Sequence, residues 1–487
     1  QEKDALAGKP VARTAVLRTN TLRWIPKNSL AAALRHTLGC LATDLAWGTL
    51  SVTAAMTLPP RNIGRVVNKQ LEGTATPAPE RKAAAQRERD DDDEKTVRRM
   101  TEMARRGHIH KAVQIGMGGN VRIAPGECDD VVEALTALHP KRHTTDKLRH
   151  VAVEVDEIIV TDQEVLTQAR KMAKGDAPGA SGLASDVLKQ LLEYEEQIST
   201  EGRLLGCMTE LVSRILKNTL DADAADAIRR IRLIPLAKRR ADGSFKGVRP
   251  VAMSETILKL AANVALARIP GVGSNFDRQY GMKKGGVEEA IFKVQDAVRA
   301  GRRVRTLDAS NAYNTVHRHA FMDAIRKADY GETFSPMKGY VNFAYGLRSK
   351  AVYEDQNDKL HTINVDTGVR QGDPMAPLLF CLAIQPLLDE FAKKHPSFEI
   401  VAFLDDIAII GSKEAGNDEF DEVVDDFKKL VEKIGLVLRD EHDTKDSGKE
   451  PFRYLGAAIT AKGSQVSEAL KVFRPLDQPI KFGEQLA

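Results

Sequence analysis

The segment Phe403-Leu404-Asp405-Asp406 constrains this chain more than any other. Two adjacent acids sit between Val401-Ala402-Phe403 and Ile407-Ala408-Ile409-Ile410, both apolar and strand-like. That pattern predicts a β-hairpin with the acids at its turn. The apolar flanks bury the strands, and the turn presents carboxylates at a sheet edge. Negative charge there is costly unless a cation compensates it, which a divalent metal would do. Taken alone, the pair also fits a plain Asp-Asp turn.

A second segment, Arg303-Val304-Arg305-Thr306-Leu307-Asp308-Ala309-Ser310-Asn311-Ala312-Tyr313, reads as a strand that ends in an acid and turns into a helix through Asn311 and Asn314. Asp308 alone also fits a helix N-cap. The two segments together point to nucleotidyl transfer. That chemistry uses two metals about 3.5–4 Å apart to stabilise the attacking and leaving oxygens. Carboxylates on neighbouring strands can hold them. Magnesium prefers oxygen ligands and keeps water and substrate phosphate in its other positions.

From about residue 151 the chain mixes strands and helices. Strands are predicted at 231–236, 304–307 and 400–410, and helices at 184–193, 255–268, 287–300, 377–393 and 418–434. The helices are irregularly placed, which favours an α+β fold with a helix-backed antiparallel sheet over a doubly wound one. Upstream, residues 28–58 look partly helical, with an apolar face through Leu30, Leu34, Leu38 and Leu41, and Pro59-Pro60 ends that stretch. Residues 73–94 read as a linker that closes on the acidic run Asp90 to Glu94. A helix is predicted over 95–106, and a second one ends near His139-Pro140.

The 487 residues leave room for several domains, and 42% are hydrophobic, enough for real cores. The net charge of +4 does not announce a nucleic-acid partner, but its distribution says more. Residues 1–89 carry 14 Lys/Arg against 6 Asp/Glu, so the rest of the chain is slightly acidic. A basic arm of this kind suits phosphate binding, and a solvated surface is the alternative. Cys40, Cys128, Cys207 and Cys381 lie far apart, with no zinc spacing, as expected of a reducing compartment. The pairs His108/His110 and His317/His319 lack acidic or Cys partners at ligand spacing and read as surface or packing residues. No apolar run approaches the ~20 residues of a membrane helix; Ala46 to Leu58 comes nearest. Gln1 is no initiator methionine and no secretory signal follows it, so a segment of a longer or processed product is expected.

Over roughly residues 166–460 the chain resembles the reverse transcriptase family. Leu307-Asp308-Ala309-Ser310-Asn311-Ala312-Tyr313-Asn314-Thr315-Val316 is similar to its first palm motif, and Gly368-Val369-Arg370-Gln371-Gly372-Asp373-Pro374 to its second. Phe403-Leu404-Asp405-Asp406 resembles the third. Gly435-Leu436-Val437-Leu438, with Lys445 soon after, resembles the fourth, and Phe452-Arg453-Tyr454-Leu455-Gly456 the primer grip. Five motifs in order are a specific signal. Leu233-Ile234-Pro235-Leu236-Ala237-Lys238 and Val248-Arg249-Pro250 resemble the triphosphate-binding strands of the fingers. Ala177-Pro178-Gly179-Ala180-Ser181-Gly182-Leu183, Gln279-Tyr280-Gly281 with Gly285-Gly286, and Asn311-Ala312-Tyr313-Asn314 are closer to non-LTR retrotransposon elements than to retroviruses. The Trp24-Ile25-Pro26 region resembles site-specific kinetoplastid elements that target spliced-leader genes.

The resemblance implies an RNA-directed DNA polymerase with fingers and palm, in which Asp308, Asp405 and Asp406 bind two Mg2+ ions, or Mn2+. It implies nucleotide contacts at Lys238, Arg249, Tyr313, Gln371, Gly372 and Lys445. Lys238 and Arg249 suit a triphosphate, as a point charge and a bidentate fork. A ring at Tyr313 would clash with a ribonucleotide's 2′-hydroxyl, and Lys445 would protonate pyrophosphate. The primer grip would be Phe452, Tyr454, Leu455 and Gly456. RNA template, DNA primer and deoxynucleotides are the implied partners, with a nuclear site of action and no membrane. Residues 1–72 form a basic N-terminal region, 73–94 the linker, 95–165 a helical extension, 166–460 fingers and palm, and 461–487 the start of a truncated thumb. The alternative is a degenerate or domesticated fold of this type, acting as a non-catalytic RNA-binding or scaffold module. A group II intron or telomerase-like polymerase fits the non-LTR segments less well.

Overall fold

The structure, a computed structural model, describes residues 127–461 apart from 145, 147–150, 154–157, 174–175, 199–202, 240–243, 328–331, 356–358, 413–415 and 448–449, together with Thr101 and Ile123. The helix expected within 28–58, the 73–94 linker, nearly all of the 95–106 helix and the thumb segment lie outside the described residues.

Helices α1 (Val131–Ala137), α2 (Asp162–Lys171), α3 (Ser185–Ile198), α4 (Arg203–Lys217) and α5 (Ala222–Arg229) precede a long hairpin of β1 (Ile231–Arg239) and β2 (Phe245–Met253). Next come α6 (Thr256–Ala267), α7 (Gly286–Arg299), β3 (Val304–Ala309), the one-turn α8 (Ala312–Thr315), α9 (Arg318–Arg326), α10 (Lys338–Tyr345), β4 (Ser349–Glu354) and β5 (Leu360–Val365). The chain continues through α11 (Ala376–Lys394), β6 (Glu399–Phe403), β7 (Asp406–Ile410), α12 (Asn417–Glu432), β8 (Leu438–Asp443), α13 (Thr444–Ser447), β9 (Phe452–Tyr454) and β10 (Ala457–Ile459). The hairpin expected around Asp405-Asp406 is present as β6 and β7, paired antiparallel about a two-residue turn.

Two four-stranded sheets organise these elements, an α+β arrangement. One has the order β2-β1-β4-β5, with β1 and β4 parallel and the other pairs antiparallel. The other, β6-β7-β3-β8, is antiparallel throughout. β9 and β10 form a separate two-stranded ribbon.

The antiparallel sheet is buried on both faces. Leu307, Ala309, Ile400, Ala402, Ile407 and Ile409 pack in the large core, with Leu378 to Phe391 of α11 and Phe420 to Val431 of α12. Val304, Val401, Ala408 and Ile410 face the opposite way, onto Ala290, Val294 and Ala297 of α7 and onto Phe452, Tyr454 and Ile459. Double-sided burial explains why the flanks of the acidic pair are continuously apolar instead of alternating with polar residues. Among the described residues no helix is long and apolar enough to cross a membrane.

The Pro178-to-Leu183 loop is fastened to the start of α6 by one buried acid. The Glu255 carboxylate accepts the Ser181 N–H at 2.8 Å and the Ser181 hydroxyl at 2.5 Å. Burial pushes its pKa up to about 7. The folded state thus binds this proton more tightly than the unfolded chain does. The associated stability is present below about pH 4.5 and is lost as pH rises through 7. Glu255→Gln keeps the shape without the charge. Its melting temperature should gain on wild type between pH 5 and pH 8, by the equivalent of about 3 kcal/mol; parallel melting curves at the two pH values would show that Glu255 ionises without cost.

Candidate active site

The register between β3 and β7 places Asp308 directly opposite Asp406. Directly paired antiparallel residues lie about 4.5–5.5 Å apart at Cα. Asp405 occupies the two-residue turn between β6 and β7, whose closing pair is Phe403 and Asp406. Its other turn residue, Leu404, has a φ of +55°. Asp308 is the penultimate residue of β3, and Asn311 holds the helix-cap position before α8, so Asp308 is no N-cap. A gap of nearly a hundred residues is closed by strand pairing alone.

The electrostatics show what this proximity costs. Burial and then the neighbouring Asp405, Glu441 and Asp308 push Asp406 up to about 7. Burial also raises Asp405, and Asp308 adds to the effect while Lys238 opposes it. Glu441, in the bulge of β8 opposite β3, is raised by partial burial and by Asp308. Among the described residues no three Asp, Glu, His or Cys side chains close into a metal cluster by themselves. The carboxylates instead form an all-oxygen, mutually repelling group that favours a hard divalent cation, so the donor set fits magnesium or manganese.

Of the predicted residues, Lys238 and Tyr313 lie within electrostatic reach of Asp405, and Tyr454 within that of Asp406. Lys238 and Arg249 lie on one face of the β1–β2 hairpin, at diagonally related positions of its register. Both are exposed, and neither forms an ion pair among the described residues. The tip between them, at Asp242-Gly243, is outside the described residues. Tyr313, on α8, is half-buried and stacks on Phe380 of α11, with ring centroids 5.5 Å apart and planes 3° from parallel. Burial and Asp405 raise its hydroxyl above the usual tyrosine range, so it stays neutral. The Gln371 carbonyl accepts the Ala252 N–H at 3.0 Å, which ties β2 to the 370–375 loop. Gly372 has a φ of +118°, and a Cβ there would stand 2.5 Å from the Ala252 carbonyl oxygen. Only glycine permits that approach.

The β9–β10 ribbon turns through Leu455 and Gly456, both at positive φ. Phe452 is buried and stacks on His442 at 3.8 Å, so it anchors the ribbon. Tyr454, Leu455 and Gly456 line a cavity of about 460 Å³ together with Asp406, Glu441 and Arg453.

Lys445 is not brought to the site. Its ammonium lies 3.8 Å from Asp421, and its N–H donates to Asp443. Asp443 pairs with Arg305, three residues and so roughly 10 Å along β3 from Asp308. The bulge in β8 gives the strand an extra residue and carries Lys445 past the far end. The β8 cation opposite Asp308 is Arg439, which is exposed and makes no ion pair among the described residues. Sequence reading missed Arg439 and Glu441, because only the pairing of β8 with β3 shows which of its residues reach the carboxylates.

Asp406→Asn should remove a raised carboxylate. The wild-type penalty grows as pH rises from about 4 through 7, so the variant should melt a few degrees above wild type at pH 8 without divalent ions. Adding Mg2+ should raise the wild-type melting temperature and leave the variant's nearly unchanged. Equal Mg2+ responses would separate Asp406 from any metal site.

Comparison with known proteins agrees with this geometry. Residues 237–459 match the family described as reverse transcriptase (RNA-dependent DNA polymerase). The retrotransposable element SLACS 132 kDa protein of Trypanosoma brucei gambiense is 26% identical over 292 residues, covering 58% of this chain and 23% of that protein. The Pol polyprotein of the type-1 retrotransposable element R2 of Nasonia vitripennis is 26% identical over 136 residues, 27% of this chain and 12% of the relative. The transposon TX1 149 kDa protein of Xenopus laevis is 21% identical over 306 residues, 59% and 21% of the two chains. The chain thus spans less than a quarter of the length of these relatives. With these matches over the segment that builds the carboxylate site, the chain carries a reverse transcriptase domain of the non-LTR retrotransposon type.

Proposed function

We propose that this chain copies element RNA into DNA by two-metal nucleotidyl transfer, with the β6-β7-β3-β8 sheet as a palm and the β1–β2 hairpin as part of the fingers. The observation that carries this reading is the register of Asp308 against Asp406, with Asp405 in the adjoining turn. Asp308, Asp405 and Asp406 would hold two divalent ions, Mg2+ or Mn2+, which when bound supply positive charge to the attacking and leaving oxygens.

The chain's own residues account for the remaining work. Lys238 and Arg249 bind the triphosphate of the incoming deoxynucleotide, and Lys238 already lowers the cost of ionising Asp405. Arg439 adds fixed positive charge beside Asp308, where pyrophosphate charge develops; a guanidinium stays protonated, so it acts as a charge and not as an acid. Gln371 and Gly372 form a floor for the template–nucleotide pair. Tyr313, braced by Phe380, faces the sugar. Tyr454, Leu455 and Gly456 present the primer end to the cavity that contains Asp406. Priming at a DNA target would place this reaction in the nucleus.

Primer extension on an RNA template tests the reading. Wild type should extend with Mg2+, and Asp308→Asn and Asp405→Asn should each lose at least about 10³-fold in rate while binding primer–template normally. An inert wild type that still binds RNA would fit the non-catalytic module instead.

Sugar choice gives an independent measurement. Tyr313→Val opens the space beside the 2′ position and should raise ribonucleotide use relative to deoxynucleotide use by about tenfold or more. An unchanged ratio in an active variant would leave Tyr313 as a packing partner of Phe380 alone.

A further inference from the structure

Residues 278–281 run beside β6 without forming a named strand. The Ala402 N–H donates to the Arg278 carbonyl at 2.8 Å, and the Tyr280 N–H donates to the Ala402 carbonyl at 2.7 Å. This seats Gln279, which is 1% exposed, at the tip of the β6–β7 hairpin. Its Oε1 accepts the Leu404 N–H at 2.8 Å and the Gly281 N–H at 2.9 Å. Its Nε2 donates to the Leu404 carbonyl at 3.3 Å. One side-chain amide therefore serves both backbone groups of the turn residue that precedes Asp405. That residue is a leucine held at positive φ, a conformation that L side chains resist. The Leu404 side chain lies over Gly281, where a Cβ would come within 2.6 Å of its Cδ2.

We propose that Gln279 is a positioning residue for nucleotidyl transfer: its amide, with Leu404 seated on Gly281, holds the left-handed turn that sets Asp405 beside Asp308 and Asp406. The inference rests on the polymerase reading above. The chemistry of the position singles out an amide. Glutamate accepts both N–H groups but donates nothing to the Leu404 carbonyl and adds charge near three carboxylates. Leucine fills the volume and leaves two partly buried N–H groups without their acceptor. Asparagine is one methylene too short to span both.

The test uses the full chain and three variants: Gln279→Leu, Gln279→Asn and the double variant Gln279→Leu with Leu404→Gly. Amide hydrogen exchange at residues 281 and 404, measured without nucleic acid, reads the clamp directly. Gln279→Leu should exchange there about tenfold faster or more. Its kcat should fall about 10²-fold, with the deoxynucleotide KM and primer–template Kd within about threefold of wild type. Leu404→Gly removes the cost of positive φ, so the double variant should regain about tenfold in kcat. Wild-type exchange in Gln279→Leu would overturn the proposal. So would a kcat loss that is matched by KM and Kd and is not relieved by the glycine. Should Gln279→Leu fail to fold, Gln279→Asn carries the same expectation. A wild type that extends no primer would remove the polymerase reading, while the exchange measurement would still decide whether the clamp exists.

Discussion

Like charges brought together on a sheet edge are the constraint around which this structure is built. Asp308 and Asp406 face each other across β3 and β7, with Asp405 in the turn between β6 and β7. Their repulsion opposes the pairing that creates the site. Apolar burial on the two faces of the sheet supplies the opposing stabilisation. Ile407 and Ile409 enter one core while Ala408 and Ile410 enter the other. A slip of one residue would exchange those sets and carry Asp406 to the wrong face. The register that holds the carboxylates is thus set by side chains that never touch them.

The same sheet treats charge in opposite ways at its two ends. At the far end Arg303 and Arg305 share Asp421 and Asp443. Hydrogen bonds from the two arginines, with the Lys445 N–H, hold Asp443 down to about 2 despite its burial. At the near end Asp406 is pushed up to about 7, because burial and three acids act on it and, among the described residues, no arginine is bonded to it. The paired end fixes β8 and α12 against β3. The unpaired end keeps its carboxylates available to a cation from outside the chain.

A second buried network supports the loop behind the site. The Asp373 carboxylate accepts the hydroxyls of Tyr340 at 2.9 Å and Tyr345 at 2.5 Å, and its other oxygen accepts the Met375 N–H. Arg318, fully buried, gives its N–H groups to the carbonyls of Gly368, Tyr345, Leu347, Val365 and Thr367. A guanidinium spread over so many carbonyls ties α9, α10 and β5 to the irregular segment before Gln371. Gln371 and Gly372 therefore project from a loop whose backbone is fastened on both sides, by this network and by β2.

What the sequence determined by itself was local. Unbroken apolar runs around Asp405-Asp406 announced a buried hairpin, and the strand ending at Asp308 announced a second acid at a strand end. Gly372, Lys238 and Arg249 stood out through the resemblance of their short segments to reverse transcriptase motifs. Each of these signals lies within a dozen residues, where strand period and turn chemistry act directly. Only the tertiary structure decided which distant residues share the site. Lys445 has a suitable charge and sequence position, yet a single bulge in β8 sends it to Asp421 and leaves Arg439 opposite Asp308. Gln279 lies 125 residues before Leu404 in the chain and meets it through two hydrogen bonds at the hairpin tip. Strand pairing depends on register accumulated along whole strands and on the cores beneath them, and no short stretch of sequence contains that information.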